Sequence, residues 1–396
     1  MKPLGYLLSE YPAINHTYLA NEVAALRAGG IDVRVISIGT ARVQHLGPED
    51  YKEAAATLYV NGAGWRGFAK AHLRRSVIRP SRYLRGMEAA VRLGGGCIGE
   101  TARWLRWFAQ AVVAGEMALR LGVGHVHATY CSSVALLVGE VTGLEVSQSI
   151  HGSGEFENPV TFRLREKIRA AKFVRAISRY GMSQLMKHAD PEDWGKIDLA
   201  PLGVNLERFG CHRRDKHRPF RLLTVGQLAP AKGQLVLLEA MEQLVAQGLD
   251  VELRIVGDGP LRAALEARAP QGCVLFDGYR HNDEVVRMYA EADAFVLPSF
   301  AEGIPVVLME AMAAGLPCVA SRITGIPELI EDGVSGVLVP PADVGALTAA
   351  VRRLATDREW ADRLGEEGRR RVRAEYDLRR NGEALVEVFR RRVTTI

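Results

Sequence analysis

Short apolar runs alternate with longer stretches of helical period from one end of the chain to the other. In the first half, the runs that read as strands cover residues 3–8, 33–38, 125–128, 147–150 and 173–177. Helical spacing predicts helices over 17–28, 132–141 and 179–188, with several more between 48 and 121. The rhythm then returns. Strands are expected at 221–225, 252–256, 274–276, 294–297, 317–320 and 336–339, and helices at 234–247, 261–268, 282–291, 306–314 and 326–330. Such alternation specifies an α/β protein with parallel sheets covered by helices. The pattern breaks at 201–219, a polar stretch with clustered His, Arg and Lys. This break separates one domain over 1–205 from another over 206–375, with a C-terminal helical segment at 376–396. A chain of 396 residues has the length for two such domains.

Composition narrows the class. An apolar content of 48% and a charged content of 24% are those of a folded soluble protein. No apolar run reaches the ~20 residues needed to cross a bilayer, and the first residues read as a strand rather than a signal peptide. The cysteines (Cys97, Cys131, Cys211, Cys273, Cys318) show no paired short spacing. That argues against a zinc site or a disulfide framework and for the reducing cytoplasm. The net charge of +5 is unevenly placed. Residues 66–106 carry ten Lys/Arg against two acids, Glu88 and Glu100, around the aromatics Trp65, Phe68, Tyr83, Trp104, Trp107 and Phe108. This segment reads equally as ordinary helices with buried aromatics and solvated arginines, or as a peripheral contact with an anionic membrane. Nucleic acid is the weaker fit and is not expected as a partner.

The chemistry concentrates where strands are expected to end, the edge at which open parallel sheets bind ligands. After the apolar run 294–297 comes Pro-Ser-Phe-Ala-Glu-Gly-Ile-Pro-Val-Val-Leu-Met-Glu, residues 298–310. Glu302 and Glu310 stand eight positions apart, with Gly303, Ile304 and Pro305 forming a turn into a helix. Proline at a helix start and glycine beyond its end, at Gly315, are the expected punctuation. The first-turn amides of Val306, Val307 and Leu308 lack intrahelical partners and suit an anion, while the two carboxylates can accept bonds from hydroxyl groups. Anion plus polyol describes a nucleotide sugar. Alone, either glutamate reads more simply as a solvated helix residue. After the run 221–225, Gly226-Gln227-Leu228 precedes Lys232-Gly233, and a lysine at this turn can reach a diphosphate. Gly257-Asp258-Gly259 and Tyr279-Arg280 follow two further strands, and Thr324-Gly325-Ile326-Pro327-Glu328 another. In the first half, His151 and Gly152 end the strand at 147–150, and His127 lies in the run 125–128. His127 reads as a structural or acceptor-side residue. The loop over 9–17 lacks glycine and offers Asn15 and His16 on the acceptor side.

These strings resemble the donor signature of retaining glycosyltransferases of family 4, in particular members that build bacterial exopolysaccharide or lipopolysaccharide. The likeness is sharpest over 294–340, fair over 220–280 and loose over 1–190. It implies the GT-B architecture, two Rossmann-like domains whose parallel sheets face a central cleft. It also implies transfer of a sugar from a UDP- or GDP-sugar to a glycan or lipid-linked acceptor, with no cofactor and no metal. Lys232 and the amides near Val306 would stabilise the departing diphosphate, Glu310 would hold the ribose and Glu302 the transferred sugar, with His151 near its C6 side. Gly226, Gln227, Gly257, Tyr279, Arg280, Gly303, Ile304, Pro305 and Val307 would line the nucleotide. The chain departs from the family pattern at Gln227, where an arginine is usual, and in the first loop, where Gly-Gly is common. Both departures leave open a binding protein without transferase activity. A sugar-nucleotide epimerase of related fold is a further alternative.

Overall fold

A computed structural model describes residues 2–13, 17–41, 48–210 and 219–394. The chain divides into two compact units, one of residues 1–201 with 382–396 and one of residues 202–381. The first unit is built on a seven-stranded sheet of order β3-β2-β1-β4-β5-β6-β7. Its strands are β1 Leu4–Glu10, β2 Val33–Gly39, β3 Leu58–Tyr59, β4 His125–Thr129, β5 Glu145–Ile150, β6 Val174–Ala176 and β7 Ile197–Leu199. The second unit has six strands in the order β10-β9-β8-β11-β12-β13. These are β8 Phe220–Val225, β9 Val251–Val256, β10 Val274–Gly278, β11 Ala294–Leu297, β12 Cys318–Ser321 and β13 Val337–Val339. Every paired strand is parallel. The sequence pattern does not reveal β3 and β7, because two- and three-residue strands are too short to display a period.

The strands read as apolar runs because helices bury both their faces. All of β11 and β12 is buried, as is β4. In the second unit, the core joins Leu222, Leu253 and Val296 from the sheet to Leu237, Met241, Val351 and Leu364 from the helices. In the first unit, Trp104, Phe108 and Val112 of the helix Ile98–Arg120 pack with Leu137 and Val141 of Ser132–Thr142. A buried polar ladder pins its N-terminal strand. The Tyr6 hydroxyl donates to Glu22 at 2.7 Å, Arg175 pairs with the same carboxylate, and Arg175 Nε donates to the Ala200 carbonyl at 2.7 Å.

In both sheets the order reverses between the first strand of the unit and its fourth, at β1/β4 and at β8/β11. In open parallel sheets such a switch point is where loops at the carboxyl ends of the strands build a ligand site. The C-terminal helix Leu378–Arg392 carries Phe389, fully buried, against His127 and Phe173 of the first unit. Arg391 and Arg392 of the same helix clamp Asp198 at 2.6 and 2.7 Å. None of the described helices is long and apolar enough to cross a membrane. Truncating Phe389 to Ala should therefore lower the denaturant stability of the first unit by about 3–5 kcal/mol, the usual cost of emptying a buried aromatic site. Tryptophan fluorescence during urea unfolding measures it.

Candidate active site

The loops leaving β8 and β11 are joined by their backbones. The amides of Phe300 and Ala301 both donate to the Ala231 carbonyl, at 2.7 and 3.3 Å. Gly233 adopts φ +64, and a Cβ there would collide with the Pro298 carbonyl oxygen. Only glycine permits both the left-handed backbone and so close an approach. Gly233 then opens the helix Gln234–Ala246, whose Gln234 side chain donates to the Gln227 carbonyl at 2.9 Å.

This junction sets Lys232 against Glu302. The ammonium donates to Glu302 Oε1 at 2.7 Å, and the Ser299 hydroxyl donates to the same oxygen at 2.7 Å. Glu302 is buried, whereas Lys232 keeps about a quarter of its side chain exposed. Oε2 of Glu302 has no partner among the described residues. Ser299 gives no signal in sequence, since a serine after a strand reads as turn chemistry.

From this turn the chain enters the helix Val306–Ala313. Pro305 caps it in extended conformation, one position before the helix proper, because the Leu308 and Met309 amides both bond to the Pro305 carbonyl. The Leu308 amide is therefore satisfied, contrary to the sequence expectation. The amides of Val306 and Val307 have no acceptor among the described residues. They belong to the first turn of the helix, where unpaired amides attract anions. Gly303 and Ile304 lie beneath the turn at Gly325, so the 321–328 loop braces this one.

Glu310 follows on the same helix. Tyr289 donates to its Oε2 at 3.0 Å and to the Val307 carbonyl at 3.1 Å. Burial pushes the Glu310 carboxyl up to about 7, against the opposing pull of Tyr289 and Arg208. Tyr289 itself escapes sequence reading, because it shares the apolar stripe of Asn282–Glu291 with Val285 and Met288 and looks like plain core.

The glycine turns after β8, β9 and β10 are also cross-linked. Gly226 donates to Val256, Leu228 to Asp258 and Gly257 to Gly278, at 2.9, 3.0 and 2.8 Å. Gln227 is exposed and brings no charge. Tyr279 is exposed beyond β10, the edge strand. Arg280 leans on Asp277 and Glu284 at 3.4 and 3.6 Å, and Asp277 also holds Arg254 at 2.8 Å. Sheet order puts Tyr279 and Arg280 three strand spacings, roughly 14 Å, from β11.

In the first unit, His151 is buried after β5 between two tyrosine rings, Tyr18 at 5.4 Å and Tyr130 at 5.0 Å between centroids. The two hydroxyls share a hydrogen bond across the β1/β4 switch point. Lys167 lies nearly sealed nearby in sequence terms, and burial lowers its ammonium to about 8 while Glu155 pulls the other way. His127 is fully enclosed, bonded to Ser147 and Ser149 at 2.7 and 2.9 Å, and burial holds it neutral. It is a structural side chain. Asn15 and His16 lie outside the described residues.

The family description "Glycosyl transferases group 1" matches residues 219–357, the segment that holds the Lys232–Glu302 pair. The amylovoran biosynthesis glycosyltransferase AmsK of Erwinia amylovora is 30% identical over 416 aligned positions, spanning 98% of this chain and 99% of that one. The chain belongs to the group 1 glycosyltransferases. Sucrose-phosphate synthase of Thermosynechococcus elongatus superposes with a TM-score of 0.75 at 20% identity, over 100% of both chains. HepE of Anabaena, solved with UDP and glucose, superposes with a TM-score of 0.74 at 16% identity, over 98% of this chain and 100% of that one. The architecture of this glycosyltransferase is thus GT-B, with two parallel sheets of seven and six strands.

Glu310 makes the enzyme's stability depend on pH in a fixed direction. The folded state keeps the proton to about 7, whereas the usual carboxyl value is 4.5. The folded state therefore binds more protons between those values, and stability falls as pH rises from about 4.5 to about 7. Glu310→Gln keeps the acceptor for Tyr289 and has no proton to lose. Its melting temperature should exceed that of the parent by a few degrees at pH 8 and converge with it near pH 4.5.

Proposed function

We propose that the enzyme is a retaining transferase of family 4. It moves a sugar from a UDP- or GDP-sugar to a glycan or lipid-linked acceptor in bacterial exopolysaccharide or surface-polysaccharide synthesis. The observation that carries this reading is the Lys232–Glu302 pair at the β8/β11 switch point, beside the open amides of Val306 and Val307 and the buried Glu310. The polysaccharide setting is supported by AmsK, matched along its length, and the donor class by HepE, a fold neighbour solved with UDP.

Charge dictates the assignment of roles. As the bond between the anomeric carbon and the diphosphate oxygen breaks, negative charge grows on the leaving group. Lys232 and the two helix-start amides are assigned to stabilise it, in place of a divalent cation. The acceptor hydroxyl oxygen forms the new bond on the same face, and its proton passes to the departing phosphate oxygen. Glu302 has one oxygen committed to Lys232 and Ser299 and a second, Oε2, available to the hydroxyls of the transferred sugar. Glu310 is assigned to the ribose hydroxyls, His151 to the transferred sugar, and Tyr279 and Arg280 to the base. Cys97, Cys131 and Cys273, none of them in a disulfide, support a cytoplasmic setting.

Gln227 favours a second reading, a nucleotide-binding protein without turnover, since an exposed glutamine cannot neutralise a diphosphate. Thermal melting with UDP, GDP, ADP and their sugar conjugates, with and without EDTA, tests for binding. A rise with one nucleotide family, insensitive to EDTA and lost in Glu310→Ala, is expected. No rise with any of them would overturn the donor site. Turnover separates the two readings: Lys232→Ala should lower kcat/KM by roughly 10²–10³-fold, the usual loss of one charge-stabilising donor. If nucleotide binds but no sugar is ever transferred, the binding-protein reading stands.

A further inference from the structure

Three helices of the first unit, Gly64–Ile78, Pro80–Gly94 and Ile98–Arg120, pack on one another. Their inner faces are closed. Gly86, Ala89, Ala90 and Leu93 of the second helix are buried, as are Trp104 and Phe108 of the third. Phe68, Tyr83 and Trp107 lie partly buried against the same core. Arg75 is drawn inward too, donating to the Val141 carbonyl at 2.8 Å and pairing with buried Glu116. Most of the aromatics and one of the arginines of this basic segment are therefore structural.

The outer faces are different. Leu73 and Val77 on the first helix are 68% and 70% exposed, and Leu84 and Val91 on the second are 54% and 50% exposed. Ile78 and Met87 are exposed with them. The four-residue step from Leu73 to Val77 and the three- and four-residue steps through Leu84, Met87 and Val91 put these side chains on one stripe of each helix, with Ile78 beside Val77. A single exposed leucine is ordinary. Six aliphatic side chains on two consecutive helices, outside a complete inner packing, make an apolar patch that calls for an occupant. Exposed Lys70, Arg74, Arg85 and Arg92 lie among them, with Glu88 the sole acid of the second helix.

We propose that this outer face docks the enzyme on an anionic membrane. The aliphatic stripes enter the headgroup boundary, and the flanking cations meet the lipid phosphates. Charge selects this occupant. A second copy of the same face would oppose cation to cation. Single-stranded nucleic acid needs exposed aromatic rings to stack upon, and of the aromatics between 65 and 108 only Trp65 is exposed. The contact is peripheral, since none of the described helices can span a bilayer.

Co-sedimentation of the full chain with vesicles, in the absence of nucleotide or sugar, tests this independently of the transfer reaction. The enzyme should be retained by phosphatidylcholine vesicles containing a third phosphatidylglycerol at low salt. It should be retained weakly by phosphatidylcholine alone, and retention by the anionic vesicles should fall at high salt. Arg85→Gln and Arg92→Gln should each weaken retention roughly five-fold. Leu84→Glu combined with Val91→Glu should abolish it, with an unchanged melting temperature because both side chains are solvent-facing. If that pair lowers the melting temperature, the milder Leu84→Ser, Val91→Ser pair should still weaken retention. The proposal is overturned if anionic vesicles fail to retain the parent at low salt. It is equally overturned if the outer-face variants bind unchanged, or if sedimentation equilibrium finds a dimer that these substitutions dissociate.

Discussion

The second unit of this glycosyltransferase depends on one backbone junction. The Ala231 carbonyl accepts from Phe300 and Ala301, and Gly233 lies against the Pro298 carbonyl. Because peptide groups rather than long side chains make the contact, the two loops meet in one register. Lys232 and Glu302 are carried on either side of that contact. Their 2.7 Å pairing is a consequence of where the main chain goes, and not of two flexible side chains finding each other. Ser299, three residues before Glu302, fixes the carboxylate's rotation from within the same loop.

The local dielectric gives the arrangement its chemical force. Glu302 is buried while Lys232 retains contact with solvent, so the ammonium is presented outward by a carboxylate that cannot follow it. A fixed donor costs no reorganisation when charge develops beside it. About one turn into the next helix, Glu310 experiences the opposite effect. Removed from water and opposed only by Tyr289 and the more distant Arg208, it holds its proton to about 7. The same helix therefore begins with open amides and carries a carboxyl poised near neutrality.

The first unit repeats the topology with different chemistry. Its switch point is bridged by the Tyr18 and Tyr130 hydroxyls, and both rings flank His151. Two aromatic rings restrict an imidazole by packing, where the second unit restricts a lysine by charge. Beneath, His125 and His127 bond to Ser147 and Ser149 and lose basicity through burial. The two histidines are held differently: His127 is sealed under Phe389, while His151 follows the carboxyl end of β5 between two tyrosine rings.

Much of this was legible in the chain itself. Parallel sheets buried on both faces require uninterrupted apolar strands, and helices require a 3.6-residue period, so β8, β9, β11 and the helix at Val306 announce themselves. The string from Pro298 to Glu310 carried the candidate site, because turn residues and carboxylates at fixed spacing are a local property. Contacts between distant segments were not legible. Tyr289 beneath Glu310, Tyr130 beside His151 and the 231–300 backbone bonds each join residues far apart in sequence, and nothing local distinguishes such a tyrosine from core. The basic segment shows the limit most clearly. Sequence supplied its charge and aromatic content, but only packing decided that Trp104, Phe108 and Arg75 turn inward while Leu73, Val77, Leu84 and Val91 face solvent. A helix with apolar residues on two sides can bury one stripe against its neighbours, and which stripe wins is set by the shape of the surface it meets.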